Sequence, residues 1–148
     1  MTLHPAANRQ APSLLYAVKQ VELAVRAHLD ELLRPSGITA LQYTALTVLD
    51  RRDHLTTAEL ARNSFVTPQA MADLVTALER RGLIVRDRDP ANRRRLLISL
   101  TGEGHELLAA VAERVGALEE RMVADLTADE RASFAGYLNR SRAALAQR

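Results

Sequence analysis

TPQAMADLVTALERRGLIVRDRDPANRRRLLISLT, residues 67–101, is the stretch whose reading decides the fold of this chain. Thr67 followed by Pro68 predicts a helix start, because a threonine hydroxyl caps free N–H groups and proline suits the first helical position. The helix carries Met71, Leu74, Val75 and Leu78 on one face and Gln69, Asp73, Thr76 and Arg80 on the other. Gly82 is expected to stop it. A short apolar run, Leu83-Ile84-Val85, then passes through arginines and a turn at Asp89-Pro90-Ala91-Asn92 into Leu96-Leu97-Ile98-Ser99-Leu100. A capped helix feeding a hairpin with a basic tip is the pattern of a winged helix-turn-helix that reads DNA.

Working outward, Thr56 with Glu59 forms a capping box for a short helix bearing Leu60 and Ala61. A tight Asn63-Ser64-Phe65-Val66 connection joins that helix to the Thr67 helix, which is helix-turn-helix spacing. Before it, Thr39 with Gln42 makes a second box, opening a helix with Leu41, Ala45, Leu46 and Leu49. From Pro12 a long helix carries Leu14, Val18, Val21, Val25, Leu29 and Leu32 at steps of three and four and ends before Pro35 and Gly37. Residues 1–11 lack periodicity and are expected to form a flexible arm.

After the hairpin, Thr101 is placed as the cap of a helix from about Glu103 to Ala124, with Leu107, Val111, Val115, Leu118 and Met122 in one stripe. Thr127 with Glu130 caps a last helix carrying Phe134, Leu138 and Leu145. The fold class is mainly α (α+β). Residues 12–148 form one domain, with a DNA-binding lobe at about 39–101 between long terminal helices at about 12–34 and 102–147. Those helices carry more apolar length than a small core can cover, so they are expected to build a homodimer interface.

Composition bounds the chemistry. The chain has 148 residues, enough for one domain, and a net charge of only +2. That charge is unevenly placed: Arg80 to Arg95 holds seven arginines against Asp87 and Asp89, a local +5 that leaves −3 for the rest. The absence of cysteine excludes disulfides and thiolate metal sites. His4, His28, His54 and His105 lack ligand spacing, so no metal and no cofactor is expected. Neither a run of about 18 uncharged apolar residues nor a basic start followed by an apolar stretch is present, so a membrane partner is not expected and the chain reads as cytoplasmic. The serines sit in no nucleophile elbow, and phosphate-binding glycine patterns are missing, which argues against an enzyme.

The candidate DNA-binding residues are Thr67, Pro68, Gln69, Ala72, Asp73 and Thr76 on the helix, with Arg80, Arg93 and Arg94. Strand alternation puts neighbouring arginines on opposite faces, so Arg93, Arg94 and Arg95 cannot all enter one groove. Arg94 is assigned to a narrow, A·T-rich minor groove, and Arg93 and Arg80 to phosphates. Asp73 fits only as an acceptor from a cytosine amine or as a brace for an arginine. The alternative is a helical protein-interaction module whose arginine hairpin is merely solvated.

Across residues 12–147 the chain resembles the MarR family of bacterial transcriptional regulators. The resemblance rests on Gly37-Ile38-Thr39 with Gln42, on Glu59-Leu60-Ala61, on Leu78-Glu79-Arg80-Arg81-Gly82-Leu83-Ile84, and on Arg94 running through RRLLISLT to Thr101. It implies a homodimer with winged helix-turn-helix heads on pseudo-palindromic double-stranded DNA, and repression relieved by a small aromatic or anionic effector. It also implies an effector pocket near the junction of the first, second and fifth helices, for which Tyr16 and Tyr43 are the aromatic candidates, although both also suit the core. His28 joins them as a candidate, or serves as an interface histidine. In one departure, Asn92 stands where the family has a wing acid that orients the wing arginine, so Asn92 or Asp89 is expected to hold Arg94.

Overall fold

The computed structural model describes residues 13–146; the expected arm at 1–11 lies outside them. In chain order the elements are α1 (Leu14–Leu33), a single 3-10 turn (Arg34–Ser36), α2 (Ala40–Arg51), α3 (Thr57–Ser64), α4 (Pro68–Arg80), β1 (Ile84–Asp89), β2 (Asn92–Leu100), α5 (Gly102–Met122) and α6 (Ala128–Ala146).

The expected caps account for most of these boundaries. The boxes at Thr39/Gln42 and Thr56/Glu59 are reciprocal, each threonine hydroxyl accepting from the third helical N–H while the third side chain accepts from the cap N–H. The Thr127/Glu130 box forms in the same way. Gly82, at φ 72°, closes α4: Leu83 N–H reaches back to the Leu78 carbonyl and Gly82 N–H to that of Glu79, satisfying last-turn carbonyls that the helix cannot.

Three boundaries differ from the sequence reading, the first being that α1 begins at Leu14 rather than Pro12, with the Ser13 hydroxyl capping it by accepting from Tyr16 N–H at 3.2 Å. The connection between α3 and α4 is shorter than Asn63–Val66, because Asn63 and Ser64 are still helical. Asn63 Nδ2 donates to the Glu59 carbonyl at 2.8 Å, and the reversal is made at Phe65, in the left-handed region at φ 60°. Helix α5 ends at Met122 rather than Ala124, where the Val123 N–H turns to the carbonyls of Glu119 and Arg121.

β1 and β2 pair antiparallel, Ile84 opposite Leu100 and Arg86 opposite Ile98, with an irregularity at Arg88/Asp89 before the tip. Leu55, between α2 and α3, adds a bridge to β2 through reciprocal bonds with Ile98 of 3.2 and 2.7 Å. A single bridging residue carries no period, so the sequence reading missed this third edge. Beside it, the Ser99 hydroxyl lies 3.0 Å from His54 Nδ1.

The core lies where these elements meet. Leu33, Leu46, Leu49, Leu60, Met71, Val75, Leu78, Ile84, Ile98 and Val111 are fully enclosed. Thr101 joins the lobe to α5: its hydroxyl donates to the Gly82 carbonyl and accepts from Gly104 N–H, while its own N–H reaches the Leu83 carbonyl. A Cβ on Gly104 would stand 2.3 Å from the Leu83 carbonyl oxygen, so α5 can approach β1 this closely only with glycine there. The ends of the chain are different. Leu33 is the only buried residue of α1, and α6 has none among the described residues. Leu14, Leu15, Val18, Val21, Met122, Tyr137, Leu138 and Leu145 all remain exposed.

Candidate nucleic-acid interface

Helix α4 is amphipathic in the sense the sequence required. Met71, Val75 and Leu78 are wholly buried against α3 and β1, which leaves Gln69, Ala72, Asp73 and Arg80 facing outward. The Thr67 hydroxyl accepts from Ala70 N–H at 3.2 Å, and Pro68 occupies the first turn. The start of the helix is therefore capped, and Thr67, Pro68 and Gln69 are all exposed on it. Thr76 is half-buried, and its hydroxyl donates to the Ala72 carbonyl at 3.0 Å, so only its oxygen lone pairs can meet an outside donor.

The arginines between 80 and 95 divide into two sets. Four are bound within the protein. Arg86 makes a two-pronged contact with Glu79 at 2.9 and 3.0 Å, locking β1 to α4; Glu79's carboxyl is held below its ordinary value by that hydrogen bond. Arg88 donates to the Arg93 carbonyl at 2.8 Å across the hairpin. Arg95 reaches Glu59 at 3.3 Å, tying β2 to the start of α3. Arg81 donates to the carbonyls of Gly37 and Ser36 at 2.6 and 3.0 Å. The other three, Arg80, Arg93 and Arg94, are exposed, and among the described residues their guanidinium groups have no partner. They are the three arginines that the sequence reading assigned to DNA.

The wing tip departs from expectation. Asp89 Oδ1 accepts from Ala91 N–H at 2.9 Å, and Asn92 Oδ1 from the backbone N–H of Arg94 at 3.2 Å. Both side chains shape the turn by bonding two residues ahead, and neither touches the Arg94 guanidinium. The expectation that one of them aims that arginine is therefore corrected: a short side chain in a turn finds a backbone donor nearer than the end of a long one. Asp73 likewise braces no arginine among the described residues.

The three effector candidates do not share a cleft. Tyr16 is exposed near the start of α1, twelve residues from His28, which at about 1.5 Å per residue is some 18 Å along the helix. His28 faces clefts between α1 and α5, lined also by Leu118 and Arg121. Tyr43 packs on the core, where burial raises its phenol above the ordinary value. The family resemblance implied a pocket near one helical junction for these residues but could not show which way each pointed.

A paired α3–α4 unit with the outer face of α4 open, beside a hairpin bearing partnerless arginines, defines a winged helix-turn-helix DNA-binding regulator. Comparison with known proteins agrees. Residues 36–95 match the model of the MarR family. The HTH-type transcriptional repressor Rv2887 of Mycobacterium tuberculosis is 32% identical over 125 residues, covering 84% of this chain and 90% of that protein. Among solved structures, the transcriptional repressor CouR bound to a 23-mer DNA duplex has a TM-score of 0.77 at 30% identity, covering 88% of this chain and 92% of that one. Rv2887 in complex with p-aminosalicylic acid has a TM-score of 0.72 at 31% identity, with coverages of 87% and 98%. The chain belongs to the MarR family of transcriptional regulators. No helix among the described residues is long and apolar enough to cross a membrane.

Proposed function

We propose that the protein is a homodimeric repressor that reads a pseudo-palindromic operator through α4 and the wing, and that a small anionic aromatic effector releases it. The observation carrying this reading is the division of the arginines: internal partners absorb four, and the three left free accompany the exposed face of α4. A guanidinium held by protein has fewer donors left and a fixed direction, whereas a free one can neutralise phosphate or enter a groove. In this reading Gln69, Ala72, Asp73 and Thr76 face base edges, with Asp73 suited to a cytosine amine. Thr67 and Pro68 lie against the backbone at the positive end of α4, Arg80 and Arg93 meet phosphates, and Arg94 enters the minor groove. The apolar residues of α1 and α6 left open in the single chain support the dimer.

An effector site is supported in the open cleft of about 460 Å³ where α1 meets α2, a size suited to a small molecule. Arg34 lines it as a cation beside Ile38 and Leu41, whereas Arg26 is already paired with Glu22 and Asp30 accepts from Ala40 N–H, so Arg34 is the group left to meet an aromatic carboxylate over that apolar surface. The relative crystallised with p-aminosalicylic acid makes that compound a rational probe.

The test is titration of a fluorescent duplex covering the gene's own upstream region, with and without p-aminosalicylate. Tight binding that falls steeply with salt, and is weakened by the aromatic acid, is expected. Salt-insensitive or absent binding would overturn the DNA reading; binding indifferent to a panel of aromatic acids would overturn the effector alone.

A further inference from the structure

We infer that Arg81 is a positioning residue that sets the angle of the DNA-reading helix relative to the long terminal helix α1. Arg81 is the last residue of α4's cap, its own N–H bonded to the carbonyls of Ala77 and Glu79. Its guanidinium leaves the head and donates to two consecutive carbonyls, Ser36 at 3.0 Å and Gly37 at 2.6 Å. Those carbonyls end the turn between α1 and α2, forty-five and forty-four residues earlier in the chain.

The turn is shaped to receive it. Gly37 sits at φ +73°, and a Cβ there would stand 3.0 Å from Arg81 Nη1, so a side chain would be strained and would also press on the guanidinium. From the opposite side Asp30 of α1 accepts from Ala40 N–H, the first residue of α2, at 2.6 Å. The joint is thus held to α1 by Asp30 and to the end of α4 by Arg81. Helix-end carbonyls have no partners within their own helix, and a guanidinium offers two donors in a fixed fork, so this contact constrains direction as well as distance. A lysine could satisfy one carbonyl and would leave the joint free to swivel.

The consequence bears on reading two half-sites at once. In a dimer, α4 of each head must reach half-sites about one helical turn, ~34 Å, apart. Whatever fixes the angle between α1 and α4 fixes that separation, and Arg81 lies at the joint between them. Two donors of the Arg81 guanidinium are engaged by backbone carbonyls, which separates its role from those of Arg80, Arg93 and Arg94.

This inference rests on the proposed dimeric reading of DNA, and its test separates the two. Wild-type protein first selects a duplex from a random library; failure to select any sequence would remove the DNA reading and this inference with it. On the selected duplex, Arg81→Met, which keeps the aliphatic stem and loses the donors, is expected to weaken binding about tenfold. On an isolated half-site its affinity should match wild type, and its salt slope should be unchanged. Duplexes with one or two base pairs inserted between half-sites should be discriminated less sharply by the variant than by wild type, and Arg81→Lys should fall between them. Equal losses on operator and half-site, or a lowered melting temperature that accounts for the loss, would show a merely structural contact. A salt slope reduced by about one per subunit would show a phosphate contact instead. Unchanged spacing discrimination in both variants would overturn the inference.

Discussion

The reading head and the terminal helices are built from similar proportions of apolar residues and reach opposite outcomes. In the head, Leu46, Leu60, Met71, Leu78 and Ile98 are sealed by four helices and a hairpin from one chain. In the terminal helices, Leu14 is 84% exposed, Leu15 81% and Leu145 80%. Fully burying a side chain of that size is worth about 1.5–3 kcal/mol, so the terminal helices hold a large unrealised stabilisation while the head has realised its own. The interior of the head is complete as a single chain, although Phe65 at the α3–α4 turn stays 82% exposed, and the helices that flank it are complete only against another surface.

The most drastic way to break this contrast is to remove one side of it. Deleting residues 127–148 takes away α6 from both protomers of the dimer and should leave the stripe of α1 without the partner's cover, giving aggregation or unfolding in sedimentation and thermal melts. A well-folded, monodisperse monomer would show that α6 is an appendage and that the exposed stripe needs no partner.

A finer comparison places one cavity in each region. Leu46→Ala, in the sealed core, should cost about 2–5 kcal/mol in denaturant unfolding at any protein concentration. Leu138→Ala, on α6, should instead lower the apparent stability chiefly at low protein concentration, because it weakens association rather than the interior of one chain. The contrast would fail if both variants showed the same dependence on concentration.

Within the head, the free arginines should differ from one another. Arg94→Ala should cost about 1–3 kcal/mol of operator affinity, more at A·T-rich flanks where the minor groove is narrow. Arg93→Ala should weaken specific and non-specific duplexes alike and reduce the salt slope by about one per subunit. Equal losses on every flank would reduce the wing to a basic patch.

The smallest effect expected is on acid stability. Glu59, in the head, is held below its ordinary value near 4.5 chiefly by the Thr56 hydroxyl and then by the Thr56 backbone N–H. Glu130, at the start of α6, is lowered by the equivalent bonds from Thr127. A depressed carboxyl stabilises the fold above its unfolded value, and that contribution is lost as pH falls through the folded one. Glu59→Gln and Glu130→Gln should each lower stability slightly at pH 7 and leave it unchanged at low pH, so that the decline below about pH 4.5 is flattened. An unaltered acid limb in both would mean that the boxes are equally well made with the carboxyl protonated.

Much of this organisation was legible because it is written in local chemistry. Each capping threonine and its partner lie within one helical turn, and Gly82 and the Asp89–Asn92 turn act through the nearest backbone groups, so no knowledge of distant residues was needed. The apolar period of α4 told which of its faces would be buried. The resemblance added the expectation of a family, which the comparisons then showed. The Leu55 bridge, the fork of Arg81 on Gly37 and Ser36, and the close approach of Gly104 to Leu83 were not legible, because each joins residues far apart in sequence.

Sequence by itself determined where the threonine-capped helices begin, which face of α4 is open, and that positive charge gathers between residues 80 and 95. It could not determine what each arginine does, because seven guanidinium groups in one segment are chemically identical until partners are placed around them. Tertiary structure decided that Arg86 is taken by Glu79, Arg95 by Glu59, Arg88 by the Arg93 carbonyl and Arg81 by the α1–α2 turn. It also decided that Asn92 and Asp89 serve the turn and leave Arg94 unheld. The physical reason is range: a cap is satisfied within three residues, whereas a guanidinium on a long side chain takes whichever acceptor the fold brings within its reach.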